Sequence, residues 1–408
     1  MQGSPPPENR IIRFADGSYF RFPATRWSFS NFRRLMPTIN VSRGLNATAT
    51  LSQALRDDID DIRFTPGDTS TSMRWSDSLL ENYTDAVLIL HQGKVVYERY
   101  FGVSSPTGQH GVMSITKTFV GTLASALIAE GVLDPGKLVT DYVPELAGSA
   151  FAGATLQQVL DMTTGIRFNE DYANPKADIW VHAKAGSPLP MPKDYQGPRS
   201  YYEFLQQTVA EGKHGEAFHY RTINTDALGW IIARATDKPL DQLLSERIWQ
   251  KLGVEQDAYM NGDSIGTPFA GGGLSMGLRD LARFGEMIRN NGYYNGQQII
   301  PAAAVADIRR GASKRKFAKA GYKHLSGWSY HNMWWLTHNA HQAFLARGVF
   351  GQALYIDPKA EVVIARFGSH PQAANSANDA TSLPAFHAVA KHLHAATTTS
   401  PGVRKNER

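Results

Sequence analysis

Cysteine is absent from the 408 residues. That excludes a disulfide framework, a thiolate nucleophile and cysteine-ligated zinc. It does not choose a compartment, because a cysteine-free chain suits cytosol and periplasm alike. Long apolar runs are missing too: none reaches the roughly 20 residues that span a bilayer. The opening "MQGSPPPENRIIRF" lacks the apolar core of a signal peptide. The expectation is a cytoplasmic protein with no membrane partner, the periplasm staying open. Clustered, aromatic-interleaved basic residues are lacking as well. The formal net charge is +5, but its two runs, at 309–323 and in the final "VRKNER", read as solvated surface rather than a nucleic-acid groove. The 13 histidines are dispersed; His387, His392 and His394 share a helical stretch without a carboxylate pattern, so neither metal nor organic cofactor is expected.

What the chain does have is ordinary globular composition, 42% hydrophobic and 19% charged, at a length for one large domain or two joined ones. Residues 1–45, rich in proline, arginine and aromatics, read as an arm over the body. "DAVLILHQGKVVYERYFG" (85–102) predicts a hairpin turning at Gln92–Lys94. A helix is predicted from Ser114 to Glu130, ended by Gly131, and Thr155 with Gln158 forms a capping-box pattern. Helical periodicity returns at 224–236, 240–253 and 278–292. A second hairpin is predicted over 351–368, and a last helix over 383–396. Strands early and late, with helices between, predict an antiparallel sheet built from both chain ends with flanking helices and an inserted, mainly helical domain. The expected division is an arm at 1–45, an α/β domain at 46–113 and 270–396, a mainly helical domain at 114–269 and a flexible tail at 397–408.

Within "HGVMSITKTFVG" (110–121), Lys117 falls on the apolar face that continues through Val120, Gly121, Ala124, Leu127 and Ile128. Lysine is almost never fully buried without a partner. One reading is that Lys117 snorkels to solvent from the first turn. The other is a base for Ser114, one turn earlier on the same side. A serine hydroxyl needs a base within hydrogen-bond reach. At its reference value a neutral lysine costs roughly 4–5 kcal/mol at pH 7, and burial at a helix start lowers that cost. The same helix start offers backbone N–H groups to a developing oxyanion. Spacing alone is weak, since Ser313 and Lys316 repeat it among exposed positive charges.

A rival nucleophile is Ser275, in Gly273-Leu274-Ser275-Met276-Gly277, the pattern of an α/β-hydrolase elbow. The elbow needs a buried strand before it, and the preceding "NGDSIGTPFAGG" does not read as one.

Ser114-Ile115-Thr116-Lys117 opening a helix resembles the first motif of the serine β-lactamase and penicillin-binding-protein superfamily. "EAFHYRTINTDALGWII" (216–232) resembles its second motif region, with Tyr220 as the tyrosine, and "AGGGLSMGLRDLARFGEMIRNNG" (270–292) resembles the segment that follows in class C enzymes and related carboxylesterases. "TDYVPELAGSAFAGATLQQVLDM", "NEDYANP", "NTD" and Trp334-Trp335 are similar to the 6-aminohexanoate-dimer (nylon-oligomer) hydrolase group. The resemblance covers about residues 80–395. It implies a β-lactamase-like fold, Ser114 as nucleophile, Lys117 and Tyr220 in proton transfer, Tyr172 on the substrate, and an oxyanion hole from the N–H groups of Ser114 and Val349. Gly271, which stands where the dimer hydrolase carries asparagine, and Trp335 are implied to bind substrate alongside Tyr172. Two departures stand out: Tyr220-Arg221-Thr222 replaces Tyr-x-Asn, and Phe350-Gly351-Gln352 replaces Lys-Thr-Gly. The latter removes a cation that would hold a β-lactam carboxylate.

Read from the residues alone, Tyr220, Tyr172 and Trp335 fit either a cleft wall or a core. The resulting expectation is a serine hydrolase cleaving a small amide or ester through an acyl-enzyme on Ser114. A β-lactamase or DD-peptidase, or a catalytically silent binding protein on the same fold, are the alternatives, and a homodimer stays open.

Overall fold

The computed structural model describes residues 1 and 3–399. Its centre is a seven-stranded antiparallel sheet. From edge to edge its strands are Ser329–His331, Trp334–Leu336, Phe344–Gly348, Gln352–Asp357, Val362–Gly368, Thr84–His91 and Lys94–Tyr100. Early and late strands therefore meet at one seam, where Ile364 pairs with Ile89 and Arg366 with Val87. The first hairpin turns on Gln92 and Gly93, both with positive φ, the backbone that matches the right-handed twist of its strands.

Helices cover both faces of the sheet. Leu354 and Tyr355 are adjacent, so their side chains point to opposite faces. Leu354 meets the helix Leu278–Arg289 at Gly285, where a Cβ would come within 2.8 Å of Leu354 and 2.6 Å of Val363. Tyr355 packs on Phe386 of the terminal helix Asp379–Thr399. Gly285 is thus required by a close approach of helix to sheet. The helix Ile115–Ala129 is buried along nearly its whole length. It packs on Ile223–Thr236 and Ala302–Arg310, and Phe119 stacks on Phe284. The capping box is formed, with Thr155 Oγ1 accepting from the Gln158 N–H and Gln158 Oε1 from the Thr155 N–H.

A second sheet was not legible in the sequence. Thr38–Val41, Ala258–Asn261, Leu274–Gly277 and Gln109–Gly111 lie side by side in that order. Four residues of the N-terminal arm are therefore a strand, paired with Ala258–Asn261. Of the predicted helix at 240–253, only Leu240–Trp249 is helical, and its second half winds as a π-helix. Of the tail expected at 397–408, residues 397–399 continue the terminal helix and 400–408 lie outside the described residues. Among the described residues no helix is long and apolar enough to cross a membrane.

Candidate active site

The chain reaches Ser114 through a strained turn. The strand Gln109–Gly111 ends, and Met113 takes a left-handed conformation at φ 49°. A buried non-glycine residue there costs on the order of 1–3 kcal/mol and persists only where its surroundings over-determine it. Thr116 supplies that constraint, its N–H and Oγ1 both donating to the Met113 carbonyl. Ser114 then sits at the N-cap of the helix, but its hydroxyl makes no capping bond. Instead Lys117 Nζ lies 2.9 Å from Ser114 Oγ. The duplicate spacing behaves differently: Ser313 Oγ accepts from the Lys316 N–H, an ordinary N-cap.

Lys117 does not snorkel; it is 1% exposed. Its second partner is the Gly271 carbonyl at 2.5 Å, and it lies 5.1 Å from the Tyr220 ring centre. Burial among neutral partners lowers its pKa to about 8, against the upward pull of Glu170 and Asp226. The neutral amine then costs only about 1–2 kcal/mol at pH 7. Tyr220 moves the other way. Burial, and next the negative charge of Glu170, hold its hydroxyl well above the ordinary value, while a hydrogen bond with Ser114 opposes them. Tyr220 therefore keeps its proton at neutral pH. Trp335 stacks on its ring at 5.4 Å.

Gly271 is held from both sides. Its carbonyl accepts from Lys117, and its N–H donates to Asp226 Oδ1 at 2.9 Å. Asp226 Oδ2 in turn meets His182 Nε2 at 2.8 Å, both side chains buried. A Cβ on residue 271 would fall 2.4 Å from Thr222 Cγ2 and 2.8 Å from Phe269. An asparagine would not fit here without displacing them.

Two cavities meet at Ser114, and Tyr172 and Val349 line both. One, of about 130 Å³, is aromatic and roofed by the arm through Phe14, Tyr19, Phe20 and Phe32. The other, of about 250 Å³, contains Glu170, Tyr220, Trp335, Arg347 and Asp379. Val349 is set beside Ser114 because Gly348 abuts the chain before the serine: a Cβ there would lie 2.6 Å from the Val112 carbonyl. Tyr172 reaches Glu170 at 3.3 Å, and Glu170 is clamped by the N–H and hydroxyl of Thr222, at 2.7 and 2.6 Å. Burial first, then Glu170, raises the Tyr172 hydroxyl well above its ordinary value.

The altered motifs find explanations here. Thr222, the third residue of the second motif, binds Glu170, while Arg221 turns away to the Thr164 carbonyl. Gln352 is spent on the Gly368 backbone. The cation in this region is Arg347, already paired with Asp379. Ser275 is fully buried, and among the described residues no base reaches its hydroxyl.

A beta-lactamase family profile matches residues 77–386. The chain belongs to the beta-lactamase family. It is 35% identical over 360 residues, 87% of this chain and 88% of its relative, to the 6-aminohexanoate-dimer hydrolase of Paenarthrobacter ureafaciens. A solved structure from Bacillus anthracis, described provisionally as a 6-aminohexanoate-dimer hydrolase, superposes with a TM-score of 0.84 at 33% identity, covering 96% of this chain and 99% of that one. A family VIII carboxylesterase shares the fold at a TM-score of 0.55 and 17% identity, over 77% of this chain and 96% of its own. This beta-lactamase family member is a serine hydrolase of mixed α/β architecture.

Sequence reasoning missed Glu170, Asp226 and His182. Asp226 carries the signal that revealed Lys117, a charge on an otherwise apolar helix face in "NTDALGWII". Glu170 sits in a loop, where no periodicity marks it.

Proposed function

We propose that the chain hydrolyses a small amide or ester through an acyl-enzyme, with Ser114 as nucleophile and Lys117 as its base. One contact carries the reading: a buried lysine, lowered to about 8, hydrogen-bonded to a serine hydroxyl that caps nothing. Ser114 Oγ attacks the carbonyl carbon while its proton passes to Lys117 Nζ. The oxyanion is received by the N–H groups of Ser114 and Val349. On collapse, the carbonyl–heteroatom bond breaks. The departing amine or alkoxide takes a proton through Tyr220, which Lys117 replenishes. Water attacks the acyl ester, again with Lys117 as base, releasing the acid and restoring Ser114.

Tyr172, at the junction of both cavities, orients the scissile group, and Trp335 fixes the Tyr220 ring. The substrate class follows relatives that act on the 6-aminohexanoate dimer or are carboxylesterases. With Arg347 neutralised by Asp379, a β-lactam carboxylate finds no free cation in this cavity, so a chromogenic cephalosporin is expected to turn over far more slowly than a short-chain ester.

The test is labelling with a fluorophosphonate probe followed by peptide mapping. The label is expected on Ser114, with Ser275→Ala labelling as wild type. Label on Ser275, or none on a folded protein, rejects the assignment.

A further inference from the structure

The terminal-helix histidines, which in the sequence have no carboxylate near them, acquire one in the fold. His341, Asp357 and His387 each offer a ligand atom, and these atoms lie within 4.8 Å of one another. His341 comes from the loop before the strand Phe344–Gly348, Asp357 ends the strand Gln352–Asp357, and His387 projects from the terminal helix. We propose that these three side chains form a divalent transition-metal site, of zinc type, that ties the terminal helix to the sheet.

The group is built rather than incidental. Asp357 is fully buried, and its carboxylate is oriented by the Ala360 N–H at 2.9 Å and the Tyr355 hydroxyl at 3.1 Å. Such outer contacts fix ligand direction in metal sites. His341 is held by a loop in which Asn339 Oδ1 accepts the N–H groups of His341 and Ala343. Its Nδ1 lies 2.9 Å from Asp357 Oδ2. The second observation concerns His387: its Nδ1 is shut off from solvent and has no hydrogen-bond partner among the described residues, a state buried polar groups rarely keep without a ligand. Its ring lies 5.2 Å from that of His341. Two imidazoles and a carboxylate suit zinc, with one tetrahedral position left to water. On binding, the single proton of the neutral imidazole sits on Nε2, so Nδ1 and the Asp357 carboxylate exchange their mutual hydrogen bond for bonds to the ion and no proton is released.

The test uses the full-length, tag-free protein, stripped with a chelator and titrated with Zn²⁺, and with Co²⁺ as a spectroscopic substitute. The expected result is one equivalent of Zn²⁺, a raised Tm, and a four-coordinate Co²⁺ spectrum. His341→Gln and His387→Gln should each weaken binding by roughly 10–100-fold. His392→Gln, at a surface histidine paired with Asp58 at 2.7 Å, should bind as wild type. No saturable binding, or equal binding by the His387→Gln variant, overturns the proposal. So does loss of binding in His392→Gln. Circular dichroism of each variant separates lost ligation from lost fold.

Discussion

Lys117 and Arg283 are both cations buried to 1% exposure, yet the protein treats them in opposite ways. Arg283 meets Asp280 at 2.8 Å, Glu255 at 2.9 Å and the Ala49 carbonyl at 2.7 Å. Lys117 hydrogen-bonds a hydroxyl and a carbonyl, with its carboxylates, Glu170 and Asp226, acting from a distance. The first cation is paired with two carboxylates. The second is under-paired and is pushed toward neutrality. Burial alone therefore does not mark a base; burial without a contacting carboxylate does.

That contrast predicts opposite signs for the same kind of substitution. Lys117→Met should lower kcat/KM on p-nitrophenyl acetate by about 10²–10⁴-fold while leaving Tm unchanged or higher, because it removes a poorly paired buried charge. Arg283→Met should leave kcat/KM of the surviving fold near wild type but cost on the order of 3–5 kcal/mol in denaturant unfolding, because it strands a buried carboxylate. Two substitutions shifting Tm in the same direction would break the comparison.

Smaller effects sharpen it. Gly271→Asn forces a side chain against Thr222 and Phe269 and should cost about 1–3 kcal/mol of stability. It should also lower ester hydrolysis by displacing the carbonyl that holds Lys117. His331 offers a third case. Burial pulls its pKa down, but hydrogen bonds to Asp161 and Asp307 outweigh burial and raise it to about 9. A raised folded-state value means stability fully present below the unfolded value, about 6.5, and lost as pH rises through 9. Tm should therefore fall between pH 7 and 10, and His331→Gln should flatten that slope. The size is modest, because Asp307 is 40% exposed.

Ser114 and Lys117 were legible because a charge on an apolar helix face is a contradiction that sequence displays; Tyr220 came from the resemblance of its segment to the family's second motif. The rest of the site is spread over loops and the arm. Phe14 and Phe20 look like any aromatics in a proline-rich segment, and only the fold brings them over Ser114. Four strands of the large sheet could be read from two hairpins with clear apolar strands; Ser329–His331, Trp334–Leu336 and Phe344–Gly348 could not. The smaller sheet could not: its strands are 3–4 residues long, too short to show alternation, and two of its three pairings span more than a hundred residues. Ser275 illustrates the same limit. Its elbow-like pattern does lead from a strand into a helix, yet that strand fills the small sheet and, among the described residues, no base reaches its hydroxyl.

The central claim is that neutral Lys117 activates Ser114. The most direct measurement is the pH dependence of the second-order rate of fluorophosphonate labelling. The account predicts a rate that rises from pH 6 to an inflection near 8, where Lys117 loses its proton, then levels off, with the inflection absent in Lys117→Met. A rate flat across that range in the wild type, or an inflection that survives Lys117→Met, would contradict it.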